Sequence, residues 1–241
     1  MREFFKGFAL AFSMLSIIPF FKVHNFTKGI NGYSVLSYPL VGFLLGSILY
    51  GIYSLLVPFV ASAHLGIIIF SLWVLITGAL HLDGFCDTVD GLYVSKERAL
   101  EVMKDPHNGG MGMIFGGVFL LLKASTLATF ESFYLLPIVM LLSRLAIVLA
   151  IYFFPYVSKS GMSTLAKEEL RGWQVSLAVL YSLLIIGYFH SWMAAVTMLA
   201  TLFVLKYIFI KRYGGFTGDI YGFSIEVIEL LLLNMILMSS L

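Results

Sequence analysis

A single cysteine, Cys86, in 241 residues has no partner for an internal disulfide, so no covalent framework holds this chain and its redox compartment cannot be read from cysteine usage. Charge is also scarce. Asp, Glu, Lys and Arg make up 12% of the residues, against about 25% in an ordinary soluble domain, and the formal net charge of +2 is too small to suggest nucleic acid as a partner. No internal repeat and no low-complexity tract is visible. Apolar residues fill the place of charge, at 60% of the chain, and the mean hydropathy is +0.98. This is the composition of an integral membrane protein. At roughly 20 residues per span the chain accommodates several spans and little else, so residues 1–241 form one membrane domain.

Apolar runs fall at 34–62, 64–82, 109–130, 133–154, 173–190, 191–210 and 222–241. They predict an all-α polytopic bundle of about seven transmembrane helices. The N-terminal "MREFFKGFALAFSMLSIIPFF" begins like a signal peptide, but it lacks a small-x-small cleavage site and is closed by Pro19 and Lys22. An interfacial or re-entrant helix is expected there. Basic residues alternate between the turns: Arg2, Lys6, Lys22 and Lys28, then Lys96, Arg98 and Lys104, then Lys159, Lys167 and Arg171, then Lys211 and Arg212. The intervening turns near His64, Glu131 and His190 carry no Lys or Arg. By the positive-inside rule this places the N-terminus in the cytoplasm and the C-terminus outside.

That topology gathers Asp83, Asp87, Asp90, Asp105, Asp219, Glu226 and Glu229 at or just inside the cytoplasmic face, from two loops distant in sequence. In "HLDGFCDTVDGL" (81–92), Asp83, Asp87 and Asp90 are spaced i, i+4, i+7, one face of a helix. Like charges so placed call for a cation. Mg²⁺ is the natural one, since it takes oxygen ligands and bridges one or two carboxylates to substrate phosphates. A solvated helix end with acids favoured by the macrodipole is the plainer reading. Gly84 and Gly91 would let a ligand approach the backbone, and His81 suits either an orienting group or general base, or a simple interfacial histidine. In "MKDPHNGGMG" (103–112), Lys104, Asp105 and His107 precede Gly109, Gly110 and Gly112 at the start of a span. Free N–H groups there suit a phosphate, and close helix packing explains the glycines as well.

The segment "KRYGGFTGDIYGFSIEVIE" (211–229) offers Lys211 and Arg212 to phosphate, and a mobile turn of Gly214, Gly215 and Gly218 leading to Asp219. Glu226 and Glu229 enter the last span at i, i+3. A carboxylate inside a span costs roughly 2.5–3.5 kcal/mol, so the pair needs a metal or a basic residue from another helix. Arg144 suits either a phosphate or these glutamates. For Lys123, snorkelling to the far interface is at least as good an explanation. Lys159 and Gly161 in "PYVSKSGM" add to the cytoplasmic surface. Together these residues describe a site for Mg²⁺ and a phosphorylated substrate.

"HLDGFCDTVDGL", "RALEVMKDPHNGGMG" and "GGFTGDIYGFSIEVIE", in this order and spacing, closely resemble the cobalamin synthase family, adenosylcobinamide-GDP ribazoletransferase. "SMLSIIPF" and "YPLVGFLLG" (38–46) extend the likeness over nearly the whole chain. One departure is Pro106 and His107, where many members have serine and arginine. The resemblance implies transfer of the adenosylcobinamide phosphoryl group from its GDP ester to a ribose hydroxyl of α-ribazole or its 5′-phosphate, with release of GMP and with Mg²⁺. It implies Asp83, Asp87 and Asp90 on the metal, with Asp105, Asp219, Glu226 and Glu229 completing the metal site or acting as base. Lys104, His107, Gly109, Arg144, Arg212, Gly214, Gly215 and Thr217 are the expected substrate contacts. The expected setting is a bacterial or archaeal cytoplasmic (inner) membrane, where co-location with other cobamide-pathway enzymes is one reason for membrane placement; a homo-oligomer is a separate expectation. Two alternatives belong to other classes. A lipid-headgroup phosphotransferase or a prenyltransferase would also use membrane-edge aspartates, but the first carries D-G-x2-A-R and this chain has no arginine after its Asp-Gly. A transporter is motivated by charges within spans, and is opposed by the crowding of acids at one face without a repeat.

Overall fold

The computed structural model describes residues 2–19, 27–105, 107, 109–158 and 161–239; Lys22, Pro106 and Lys159, singled out above, lie outside them. The described residues form eleven α-helices, a 3-10 turn at Phe133–Leu135 and an isolated parallel bridge between Tyr156 and Phe216. The helices are α1 (Arg2–Leu15), α2 (Ile30–Leu56), α3 (Ser62–Ile76), α4 (Leu80–Leu92), α5 (Lys96–Val102), α6 (Gly110–Ala128), α7 (Leu136–Phe153), α8 (Met162–Glu169), α9 (Gly172–Tyr188), α10 (Trp192–Tyr213) and α11 (Gly218–Ser239).

Five segments are long and apolar enough to cross a membrane: α2, α6, α7 with its leading 3-10 turn, α10 and α11. Seven is reached if each of two bent pairs counts as one span, α3 with α4 at 83° and α8 with α9 at 95°. The protein is thus a multi-pass helical membrane protein. The 14 residues of α1 make a helix about 21 Å long, less than a hydrocarbon core of about 30 Å.

The centre of the bundle is α7, buried without interruption from Leu136 to Val148. It lies against α2, where a Cβ on Gly42 would come 2.3 Å from the Met140 carbonyl oxygen and one on Gly46 2.5 Å from Pro137 Cα. This small-xxx-small pair brings the two backbones together. A one-turn break separates α3 from α4: Thr77 Oγ1 turns back to the Trp73 carbonyl (3.0 Å), and Gly78 and Ala79 take positive φ of 62° and 54°. Residues 64–82 are therefore not one straight span. The aspartates occupy a helix of their own, nearly perpendicular to the greasy one before it.

Candidate active site

The three aspartates of α4 share a face but not an environment. Asp83 is exposed, Asp87 is half-buried and Asp90 is 7% exposed. Asp90 Oδ2 accepts the Gly109 N–H and its Oδ1 accepts the Gly112 N–H, both at 2.8 Å. It caps the N-terminus of α6, where a carboxylate satisfies orphan donors and meets the positive dipole end. This corrects two expectations. The Gly109 N–H is directed at Asp90 and not at a substrate phosphate, and Asp90 is engaged by backbone where a metal ligand was expected. The expectation that Gly84 admits a ligand changes too: a Cβ there would stand 2.9 Å from the Asp219 carbonyl oxygen, so Gly84 admits the backbone of α11. That close approach sets Asp219, at the start of α11, near Asp83 and Asp87, and the three carboxylates repel one another.

Glu226 and Glu229 face the other way, into the bundle. Lys123 Nζ donates to Glu226 Oε2 and to Glu229 Oε2, each at 2.7 Å, and stands 4.4 Å from the centre of the Trp73 ring. Arg144 Nη1 pairs with Glu229 Oε1 and donates to Ser143 Oγ (2.8 Å). Two carboxylates and two cations, all buried, make a neutral cluster. Of the two partners expected for the glutamates, the structure supplies basic residues from other helices, so neither glutamate is a free metal ligand; Arg144 gives its Nη1 to Glu229, while its Nε and Nη2 have no partner among the described residues. Lys123 does not snorkel outward. The signal was in the sequence: two bases and two acids at span depth balance each other.

Arg212 is also committed within the protein. Its Nη2 donates to the carbonyls of Leu92 (2.8 Å) and Val94 (2.9 Å), and Tyr213 Oη donates to the Gly91 carbonyl (3.0 Å), so the end of α10 fastens the end of α4. A guanidinium at exposed helix carbonyls is a C-cap, where a phosphate contact was expected. Gly214, at φ 81°, ends α10. Gly215 abuts the Pro155 carbonyl, which accepts the Phe216 N–H at 2.8 Å, while the Phe216 carbonyl accepts the Val157 N–H at 2.9 Å. Thr217 Oγ1 accepts the Ile220 N–H (3.2 Å) and caps α11. The expected mobile turn is pinned on both sides, and Gly214 and Gly215 act in folding it where substrate contact was expected.

Two cavities meet at this place. One, of about 230 Å³, reaches inward between α1, α2, α4, α7 and α11; Asp83, His81 and Asp219 are in its wall. The other, of about 400 Å³, opens beside Lys104, Tyr156, Ser158 and Thr217. Met162, Ser163, Gly218 and Asp219 belong to both. Lys104 is exposed and its charge acts favourably on Asp219. Asp105 and His107 pair with each other on the surface, His107 donating its N–H at 3.0 Å and placing Nδ1 2.8 Å from the same Asp105 oxygen. These contacts, the backbone one first, hold the Asp105 carboxyl below its usual range. His81 is buried, its Nε2 without a partner among the described residues. Tyr221, Tyr38, Ser163 and Met14 also line the inner cavity; all but Ser163 lie in the quoted segments, where nothing in the residue pattern set them apart as cavity residues.

The sequence model of the family described as cobalamin-5-phosphate synthase matches residues 7–237. The chain belongs to that family. Curated relatives named adenosylcobinamide-GDP ribazoletransferase include one from Acinetobacter baumannii (strain ACICU), 33% identical over 94% of both chains. Another, from Desulfitobacterium hafniense (strain Y51), is 36% identical over 81% of this chain and 82% of its own. A third, from Desulforamulus reducens, is 35% identical over 97% of both. No solved structure matches the chain. Within the family's matched region, all three quoted motifs converge on one patch: α4, the start of α6 and the start of α11.

Proposed function

We propose that this protein is an adenosylcobinamide-GDP ribazoletransferase of a cytoplasmic membrane, N-terminus inside, with its site open to the cytoplasm. The observation that carries the reading is the convergence of Asp83 and Asp219, from two separate motifs, in the wall of the inner cavity, with Asp219 shared by the outer one and Asp87 within electrostatic reach of both. Nothing favours a lipid phosphotransferase, a prenyltransferase or a transporter.

The donor set suits Mg²⁺. Asp83, Asp87 and Asp219 are hard oxygen donors that repel one another, and the charge acting against that repulsion on Asp219 is the exposed Lys104. No group of three His, Cys, Asp or Glu among the described residues forms a ready-made metal cage. Mg²⁺ commonly keeps several waters and binds through one or two carboxylates plus substrate phosphates, so an open set of this kind is what it uses. When bound, Mg²⁺ would neutralise diphosphate charge and so ease departure of GMP. Lys104, at the outer cavity, would hold phosphate oxygens. Asp219, in the wall of both cavities, would take the proton of the attacking ribose hydroxyl where Asp83 and Asp87 alone hold the metal. The new bond joins that ribose oxygen to the phosphorus on the cobinamide side, and the bond to the bridging oxygen breaks, leaving on GMP. The test is GMP release by purified protein in liposomes given adenosylcobinamide-GDP and α-ribazole 5′-phosphate, with and without Mg²⁺. Metal-dependent GMP release matched by cobamide formation supports the reading; no release by folded protein overturns it.

A further inference from the structure

The inner cavity asks for an occupant of a particular kind. Its volume of about 230 Å³ is below the roughly 300–1,000 Å³ of a site for a whole drug-sized ligand, so it takes a fragment of a substrate. A corrin ring is far too large. Its walls are aliphatic at Leu15, Ile147, Ile151 and Ile225. Guanine, polar around most of its edge, would set part of that edge against these four aliphatic side chains, although Asp83, His81, Asp219 and Tyr221 give the wall polar groups as well. Two buried polar atoms in the lining lack a partner among the described residues: Tyr221 Oη, on a side chain 5% exposed, and His81 Nε2, on one 4% exposed. Buried hydroxyls ordinarily have a partner; Tyr221 Oη differs from the other unpartnered ones among the described residues, those of Ser34, Thr88, Thr164 and Ser182, in belonging to a residue of the cavity wall, where an occupant can meet it.

We infer that the inner cavity seats the planar, largely apolar base of the riboside acceptor, with Tyr221 Oη donating to its ring nitrogen; this rests on the function proposed above. A benzimidazole matches the cavity in kind, being a flat apolar ring system with one in-plane lone pair. The glycosidic bond then points to the mouth, where the ribose hydroxyl meets Asp83 and Asp219. The outer cavity remains for phosphates. Met14 and Leu15 make α1 part of the acceptor site, which gives the short N-terminal helix a role beyond contact with the bilayer.

The test uses the full-length protein in liposomes, with α-ribazole 5′-phosphate and the riboside phosphate of unsubstituted benzimidazole as competing acceptors. Ile147→Phe fills the cavity and Met14→Trp narrows its half-buried rim, the second at less risk to folding. One methyl-sized misfit in an apolar pocket is worth roughly 10–200-fold, so KM for α-ribazole 5′-phosphate rises at least about tenfold. The smaller acceptor suffers less, and KM for the GDP ester does not move. Tyr221→Phe, whose lost hydroxyl has no protein partner, raises KM for both acceptors alike. A rise in KM for the GDP ester with acceptor KM unchanged, or equal losses for both acceptors in the filled variants, overturns the assignment while leaving the transferase reading intact. Thermal stabilisation of the wild type by α-ribazole 5′-phosphate alone, weakened by Ile147→Phe, supports it even if no cobamide forms, in which case the transferase reading is the one that fails.

Discussion

Replacing Lys123 with methionine tests the buried charge cluster most directly. In the intact protein Lys123 and Arg144 balance Glu226 and Glu229, so the cluster is neutral. Lys123→Met removes two charge-assisted bonds of 2.7 Å and leaves a net charge of −1 among α6, α7 and α11. Breaking a buried pair by removing one partner costs about 3–5 kcal/mol, because an uncompensated charge stays behind. Ordinary interhelical hydrogen bonds in membrane bundles average only about 0.6 kcal/mol, so the two estimates are easily told apart. The double variant Lys123→Met, Glu226→Gln restores neutrality, with Glu229 left to Arg144. Equilibrium unfolding in mixed micelles would measure the intact protein, both single variants (Lys123→Met and Glu226→Gln) and the double variant. We expect the single Lys123 variant to lose about 3 kcal/mol or more and the second substitution to return at least about half of it. Losses that simply add would refute the ion-pair account.

Asp83→Asn and Asp219→Asn, at half-buried or exposed carboxylates, should reduce GMP release by roughly 100-fold or more while leaving unfolding unchanged, and the residual activity should need more Mg²⁺; near-normal rates in both would remove them from the site. Asp90→Asn keeps one acceptor for two N–H donors and should cost about 0.5–2 kcal/mol of stability with the Mg²⁺ requirement unaltered, as read by unfolding and metal titration. Arg212→Ala should destabilise the end of α4; an intact melting curve with a raised KM for the GDP ester would instead make it a phosphate ligand. Asp105 should titrate below the ordinary carboxylate range in carbon NMR, and His107→Ala should move it part of the way back, since the backbone N–H contact remains. Because its folded pKa is depressed, the stability it contributes is complete above the unfolded value and is lost as pH falls through the lowered one.

The sequence made the helical membrane class legible because composition acts over the whole chain, and the aspartate spacing read true because α4 is helical. What it could not show was direction. Asp83 and Asp90 look equivalent in "HLDGFCDTVDGL", yet one faces the cleft and the other turns to two glycine N–H groups, a difference set by where α6 begins. Arg212 and Arg144 look equally suited to phosphate, and both are taken by groups far away in sequence, the carbonyls of α4 and Glu229. The break at Gly78 and Ala79 was hidden because Ala79 adopts a positive φ that its residue type does not announce. Cavity-lining residues such as Ile147 and Ser163 come together only through packing and leave no local pattern.

The neutral cluster also has a history in each molecule's synthesis. Lys123 and Arg144 lie in α6 and α7, which leave the ribosome before α11, where both glutamates lie. Until that helix arrives, two positive charges reside in apolar segments without their acids, at a cost of roughly 2.5–3.5 kcal/mol each. Arrival of α11 is therefore what makes the earlier spans comfortable, and a polypeptide stopped before residue 218 carries two buried bases without their acids.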